Sequence, residues 1–298
     1  MSNEIEALSR GLADAVASAG PAVVRVEGRR RRAASGFVAT SDGLIVAASH
    51  AVERDEDIRI SFDGDSTVSA ELIGRDPATD VALLRAEAAV PNPPSWTDAP
   101  IPRVGNLVLG LGRPGRTVRA SFGIVGASAE GWRNPAGARL DRYLELDGLL
   151  PSGFSGGPII DVSGRLVGLG TTGLVSGAGM VVPVENLRRI IDTLKAHGGI
   201  RRGYLGIGSH PVRLTGRARD IAQSDVGLII LTVEPGGPAE KAGILLGDVL
   251  LSIDSVKTGS LEALLGTLSE DNVGRTVAAQ LLRAGALHNL SITIGERR

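Results

Sequence analysis

The 298-residue chain has no cysteine, which excludes disulfides, thiolate nucleophiles and zinc sites built on Cys ligands. Aromatic residues are scarce: four Phe, two Trp and two Tyr, so the cores must be assembled from Val, Leu, Ile and Ala. A net charge of −1 leaves no broad electrostatic surface for nucleic acid or acidic lipid. No apolar run approaches the roughly 18 residues that cross a bilayer. The opening stretch MSNEIEALSRGLADAVASAG lacks the basic front and continuous apolar segment of a signal peptide. The expectation is a soluble, cytoplasmic protein with no nucleic-acid partner and no membrane span. One basic run, Arg29-Arg30-Arg31-Arg32, lies between two strand-like segments and reads as a solvated loop, with a partner-binding patch as the alternative.

Glycine and proline are plentiful, 41 and 15 residues, the punctuation of many turns between short strands. The length suits two domains of ordinary size. Residues 4–18 read as an amphipathic helix with Ile5, Leu8, Leu12, Ala15 and Val16 on one side. From 22 to about 182 come a dozen short β runs, among them AVVRVEG, SGFVAT, LIVAAS, VALLRA, LVLGLG, GIVGAS, PIIDV and LVGLGT. Their number and spacing predict a barrel or sandwich, or a pair of barrels. VENLRRIIDTLKAHGG then predicts a helix carrying Leu187, Ile190, Ile191 and Leu194, with a glycine stop. The following GGIRRG is the candidate boundary. Beyond it GYLGIG, GLIILTV, DVLLSID, TVAAQLLR and LSITIG read as strands. PAEKAG and SLEALLGTLS read as helices, the second with Ser260 as N-cap and Leu261, Leu264, Leu265 and Leu268 facing inward. The division expected is an N-terminal helix over 1–20, a β domain over 21–198 and a small α+β domain over 199–298.

Two glycine motifs are set aside on context. Gly110, Gly112 and Gly115 fit a dinucleotide fingerprint, but Pro114 and a β-type segment follow where a helix is needed. Gly153, Ser155 and Gly157 fit the nucleophile elbow of α/β-hydrolases, yet Pro158 and a strand-like IIDV follow instead of a helix. The chain order His50, Asp80, Ser155 matches the double-barrel serine proteases instead. A hydroxyl is a poor nucleophile until a base takes its proton. Imidazole suits that task near neutral pH, and a buried carboxylate fixes its tautomer. A glycine at 153 lets backbone N–H groups, those of Gly153 and Ser155, converge on a developing oxyanion.

At these residues the sequence resembles the HtrA/Deg serine proteases. The stretches carrying the resemblance are SGFVATSDGLIVAASHAV, IGRDPATDVALLRAE, GNLVLGLGRPG, GFSGGPIIDVSGRLVGLGT and GMVVPVENLRRIIDTLKAHGGIRRGYLGI, with VEPGGPAEKAGILLGDVLLSID in the terminal part. The resemblance covers about 21–298. It implies a mainly β fold, a chymotrypsin-like double β-barrel followed by a small α+β PDZ domain. It implies an ATP-independent endopeptidase of protein quality control acting on unfolded or damaged proteins, with no metal or cofactor. By it His50 is the general base, Asp80 its orienting acid, Ser155 the nucleophile and Gly153 an oxyanion-hole residue. Leu149 and Leu150, with the strand carrying Thr171 and Thr172, wall the substrate pocket, so cleavage after Val, Ala, Leu or Ile is expected. Thr171 or Thr172 bonds the aspartate; the sequence does not choose. A peptide C-terminus is expected to add as a strand beside LGIG, its carboxylate on the N–H groups of Tyr204, Leu205, Gly206 and Ile207.

The departures are specific. Phe154 stands where the family has Asn, so the oxyanion loop is either held by packing or misformed. AASH replaces an asparagine-containing segment, and Ser255 replaces a PDZ-turn glycine. Homo-trimers in the family use aromatics near the start of the protease domain. Here only Phe37 is nearby, inside a strand, which leaves a trimer open. The alternative function, favoured by Phe154, is a PDZ binding or chaperone-like protein on an inactive protease scaffold.

Overall fold

The computed structural model describes residues 2–29, 33–96, 101–134, 137–200, 202–268 and 272–297. Arg30, Arg31 and Arg32 of the basic run, Arg201 of GGIRRG and Ser269 of the second predicted C-terminal helix lie outside the described residues. The chain divides into two compact units, Met1–Gly199 and Ile200–Arg298. No helix among the described residues is long and apolar enough to cross a membrane.

In the first unit α1 (Ser2–Ala19) precedes β1 (Val23–Glu27), β2 (Ala34–Val38), β3 (Leu44–Ala48), β4 (Ile58–Ser61), β5 (Val68–Asp76) and β6 (Val81–Ala86). These six strands close into an antiparallel barrel in the order β1-β2-β3-β6-β5-β4. A second closed barrel follows from β7 (Leu107–Gly112), β8 (Arg119–Arg133), β9 (Arg139–Leu146), β10 (Pro158–Asp161), β11 (Leu166–Thr171) and β12 (Met180–Pro183), ordered β10-β11-β12-β9-β8-β7. The double barrel bears out the expected fold class. Each barrel has its own aliphatic core, the first around Val24, Val26, Ile45, Ile58, Ile60 and Leu84. The second is built around Val108, Val125, Leu144, Ile159, Val181 and one aromatic, Phe154. Closure removes the free sheet edges that short strands would otherwise present.

The predicted helix after β12 is α2 (Val184–His197), with Leu187, Ile190, Ile191 and Leu194 all buried. Gly198 at φ 69° caps it through a bond from its N–H to the Leu194 carbonyl. The apolar side predicted for α1 is only half used. Ala15 and Ala19, with Leu12 and Val16, pack on Val23, Leu109, Leu111 and Ile160. Ile5 and Leu8 face solvent, at 68% and 46% exposure. Phe37 is fully buried, so it presents no aromatic surface to another subunit.

The second unit runs β13 (Arg202–Tyr204), β14 (Ile207–Arg213), α3 (Gly216–Ala222), β15 (Val226–Val233), α4 (Pro238–Lys241), β16 (Val249–Ile253), β17 (Val256–Lys257), α5 (Leu261–Thr267), β18 (Thr276–Arg283), β19 (Ala286–Thr293) and β20 (Gly295–Arg297). GYLGIG, expected as one strand, is broken at Leu205-Gly206, where Gly206 takes φ 76°. β13 pairs with β20, whereas β14 forms the edge of a sheet ordered β14-β15-β16-β18-β19. Pro211 lies within β14, which an edge position tolerates because one side needs no ladder donor. Ser260 caps α5 by accepting the Ala263 N–H. Leu264 is buried, but Leu261 is 41% exposed, so the inward face is narrower than the leucine spacing suggests.

Candidate active site

His50 sits in a single 3₁₀ turn, Ser49–Ala51, directly after β3. Asp80 ends the tight turn before β6 with φ 58°, a left-handed conformation that Asp tolerates better than most residues. The β3–β6 ladder pairs Ala48 with Val81 and so delivers the two side chains to one place. Asp80 is 3% exposed, and its carboxylate faces three donors. His50 gives it the backbone N–H, 2.8 Å from Oδ1, and ring Nδ1, 2.7 Å from Oδ2. Thr171 gives it the hydroxyl. An acceptor-only carboxylate opposite Nδ1 places the ring proton there, leaving Nε2 as the free lone pair. The sequence left Thr171 and Thr172 undivided; Thr171 bonds Asp80, and Thr172 does something else.

Ser155 reaches the same region from the second barrel. Its loop, Pro151 to Gly157, leads into β10 and lies against the first barrel. A Cβ on Gly156 (φ 90°) would lie 2.1 Å from the Ser35 carbonyl oxygen and 2.6 Å from the Ala48 nitrogen, so only glycine allows this approach. The Gly156 N–H donates to the Gly170 carbonyl at 2.8 Å and the Gly170 N–H to the Gly157 carbonyl at 2.9 Å. These bonds tie the loop to β11. Gly153 takes φ 86°. Among the described residues, the N–H groups of Gly153 and Ser155 take no part in the backbone bonds that fix the loop. Ser155 is 8% exposed, and its hydroxyl lies 3.2 Å from the Thr172 hydroxyl. Among the described residues it makes no hydrogen bond to His50.

The segment Thr171-Thr172-Gly173 therefore bears on all three side chains. Thr171 holds Asp80 and Thr172 meets Ser155. A Cβ on Gly173 would lie 2.5 Å from Asp80 Oδ2 and 2.8 Å from His50 Nδ1. Of the predicted pocket leucines, Leu149 is a surface residue at 63% exposure. Leu150 is buried in the second barrel's core, where its side chain and that of Ile159 fill the space over Gly170. Phe154 is 4% exposed in that core, so the loop is held by packing where an amide would have been held by hydrogen bonds. A residue without an advance signal is Ser35 of β2, whose buried hydroxyl donates to the Gly153 carbonyl at 2.7 Å.

In the second unit Leu205 is buried and its carbonyl accepts the Ala239 N–H. The Gly206 carbonyl accepts from Glu234. Tyr204 lies in the β13–β20 ladder opposite Gly295, and Ile207 opens β14 opposite Val233. Among the described residues, the N–H groups of Leu205 and Gly206 are not used in the backbone bonds that shape this turn. β14 has an unpaired edge among the described residues and α5 packs against it. An open edge beside a helix is a place where an extended peptide can add as a strand.

The family model described as trypsin-like peptidase domain matches residues 34–169, and that described as PDZ domain matches 203–294. A probable periplasmic serine endoprotease, DegP-like, from Halomonas elongata is 30% identical over 284 residues, covering 90% of this chain and 57% of that protein. The chain thus spans somewhat over half the length of the curated relatives it matches. The crystal structure of the serine endoprotease from Yersinia pestis superposes with a TM-score of 0.74 at 27% identity, covering 96% of this chain and 98% of that one. The HtrA-type protease AlgW with tripeptide gives 0.71 at 25% identity, with 96% and 97% covered. The relatives are named periplasmic, which overturns the cytoplasmic placement drawn from the first helix. They point to the periplasm, and a helix without leader character is no guide to compartment.

Proposed function

Since the chain belongs to the HtrA/Deg-type serine proteases, with a trypsin-like peptidase domain followed by a PDZ domain, we propose that it is a working serine endopeptidase. The observation that carries this is the three-donor cradle around the Asp80 carboxylate, which orients His50 with Nε2 free. In the reaction Ser155 Oγ attacks the scissile carbonyl carbon while His50 Nε2 takes its proton. The oxyanion is held by the N–H groups of Gly153 and Ser155. Collapse of the tetrahedral intermediate breaks the C–N bond, and His50 gives its proton to the departing amine. Water, deprotonated by His50, then releases the acyl group. Asp80 stays ionised throughout and stabilises the imidazolium. No nucleotide enters these steps, and the substrates are unfolded or damaged proteins that present extended segments.

Leu150 and Ile159 occupy the space over Gly170, which supports a short apolar pocket and cleavage after small or medium aliphatic residues. A peptide library returning Arg or Asp at that position would refute it. The PDZ domain takes peptide C-termini along β14, with the carboxylate on the N–H groups of Leu205 and Gly206. Fluorescence titration with apolar C-terminal peptides tests that, and absence of binding removes it.

A second reading, a peptide-binding protein on a silent protease scaffold, is favoured by the contact of Ser155 Oγ with Thr172. Fluorophosphonate labelling followed by intact mass, on the wild type and Ser155→Ala, separates the two. Stoichiometric labelling abolished by the substitution is the result expected of an enzyme. No labelling, with unfolded protein or PDZ peptides added, leaves the binding module.

A further inference from the structure

We propose that Ser35 is a positioning residue for the oxyanion hole, a buried hydroxyl of the first barrel that clamps the nucleophile loop of the second. The inference rests on the endopeptidase reading above and adds a residue to it. Ser35 is fully buried in β2. Its Oγ accepts the Arg113 N–H at 2.8 Å and donates to the Gly153 carbonyl at 2.7 Å. Its own N–H reaches the Ser155 carbonyl at 3.3 Å. One residue thus touches the end of β7 and the nucleophile loop, positions 78 and 118 residues away in the chain.

The geometry of the clamped peptide gives the bond its meaning. The peptide unit between Gly153 and Phe154 is held at both ends. Its N–H, from Phe154, donates to the Pro151 carbonyl at 3.0 Å, and its C=O accepts from Ser35. The peptide unit before it carries the Gly153 N–H, and the one after it carries the Ser155 N–H. These are the two oxyanion donors. The unit clamped by Ser35 lies between them and sets their relative orientation. Gly153, at φ 86° and without a side chain, cannot do this itself. Phe154 holds the loop through its ring, which fixes position but offers no directional bond. The hydroxyl supplies the direction.

Removing the hydroxyl leaves the part-buried Gly153 carbonyl and the buried Arg113 N–H without this partner, and the loop relaxes to find others. Misplacing oxyanion donors by about an ångström costs on the order of a hundredfold in rate.

The test is Ser35→Ala in the full chain, with Ser35→Cys as a near-isosteric second variant whose thiol is a weak donor. The expected result is a kcat lower by roughly ten- to a hundredfold for S35A, with KM changed by less than about threefold and S35C intermediate. Affinity for a peptide boronic acid, whose adduct uses the oxyanion hole, falls in step with kcat/KM. Affinity for the matching product peptide stays level. Amide exchange at Phe154, read by NMR, becomes faster in S35A, and this readout needs no turnover. If S35A does not fold, S35C carries the comparison. The proposal is overturned if kcat stays within about twofold of the wild type, if boronic acid and product peptide weaken alike, or if Phe154 exchange is unchanged. A wild type that neither labels nor cleaves defeats the endopeptidase reading instead. The exchange experiment still decides whether Ser35 holds the loop.

Discussion

Replacing Phe154 by alanine removes the only aromatic ring among the described residues of the second barrel's core, from a site next to Ser155. The side chain is 4% exposed and clusters with Val108, Val125, Leu144, Leu150, Ile159, Val167 and Val181. Its ring also covers Gly112, where a Cβ would lie 2.8 Å from Phe154 Cγ. Barrel strands are fixed on both sides by their ladders, so this wall collapses little, and a Phe→Ala change at such a site costs about 3–5 kcal/mol. For a unit of this size each kcal/mol lowers Tm by about 2–4 °C, so calorimetry of the full chain should show a fall of roughly 6–20 °C. Because the loop loses its anchor, fluorophosphonate labelling should slow as well, below the melting transition. Phe154→Asn does not rescue it, since the amide enters an apolar cluster, where an unpaired polar group costs about 1–3 kcal/mol. A Tm loss under about 3 °C with unchanged labelling would mean that packing does not hold this loop, and the reasoning would fail.

Thr172→Val removes the hydroxyl that engages Ser155 and leaves the shape nearly intact. Freed from a bond of about 0.5–1.5 kcal/mol, Ser155 should label about two- to tenfold faster; an unchanged or slower rate would show that the contact does not compete with His50. In the second unit Arg283 holds Asp248 with two bonds of 2.7 Å, and the Asp248 side chain is 1% exposed. Arg283→Ala strands that carboxylate and should cost about 3–5 kcal/mol in denaturant unfolding at neutral pH; a loss below about 1 kcal/mol would refute it. Burial pushes the Asp248 carboxyl up, but the bonds from Arg283 and the Leu245 N–H, with the Arg283 charge, outweigh it and hold it below its ordinary 3.8. A lowered folded value gives stability that is present above 3.8 and lost as pH falls through the folded value. Arg283→Ala should flatten that acid limb of the stability–pH curve, and a limb unchanged by the substitution would contradict the assignment.

The parts legible in the sequence are those whose signal is local. LIVAA is buried at every position of β3, and α2 buries the face its leucine and isoleucine spacing marks. The double barrel follows from counting such runs and from the resemblance. What escaped depends on neighbours far along the chain. β8 runs for 15 residues through a segment with no alternation to mark its length. α3 has no buried residue, hence no apolar stripe to announce it. Ile5 and Leu8 have the right spacing but extend beyond the barrel surface that α1 covers. Ser35 lies inside a quoted motif and reads there as one more small strand residue. Its partners become visible only when β2, the end of β7 and the nucleophile loop meet.

The same non-locality joins specificity to catalysis. Thr171, the last residue of β11, forms with Thr172 and Gly173 a tripeptide that bears on Asp80, Ser155 and the edge of His50. Gly170, just before it, carries the bond to the nucleophile loop and the space filled by Leu150. On the endopeptidase reading proposed above, a substrate side chain pressing on this strand end would also bear on the Thr172 hydroxyl that engages Ser155. Lengthening that contact, already at 3.2 Å, would leave the Ser155 hydroxyl without its Thr172 partner. The Ser35 bond to the Gly153 carbonyl, made from the other barrel, does not depend on that contact.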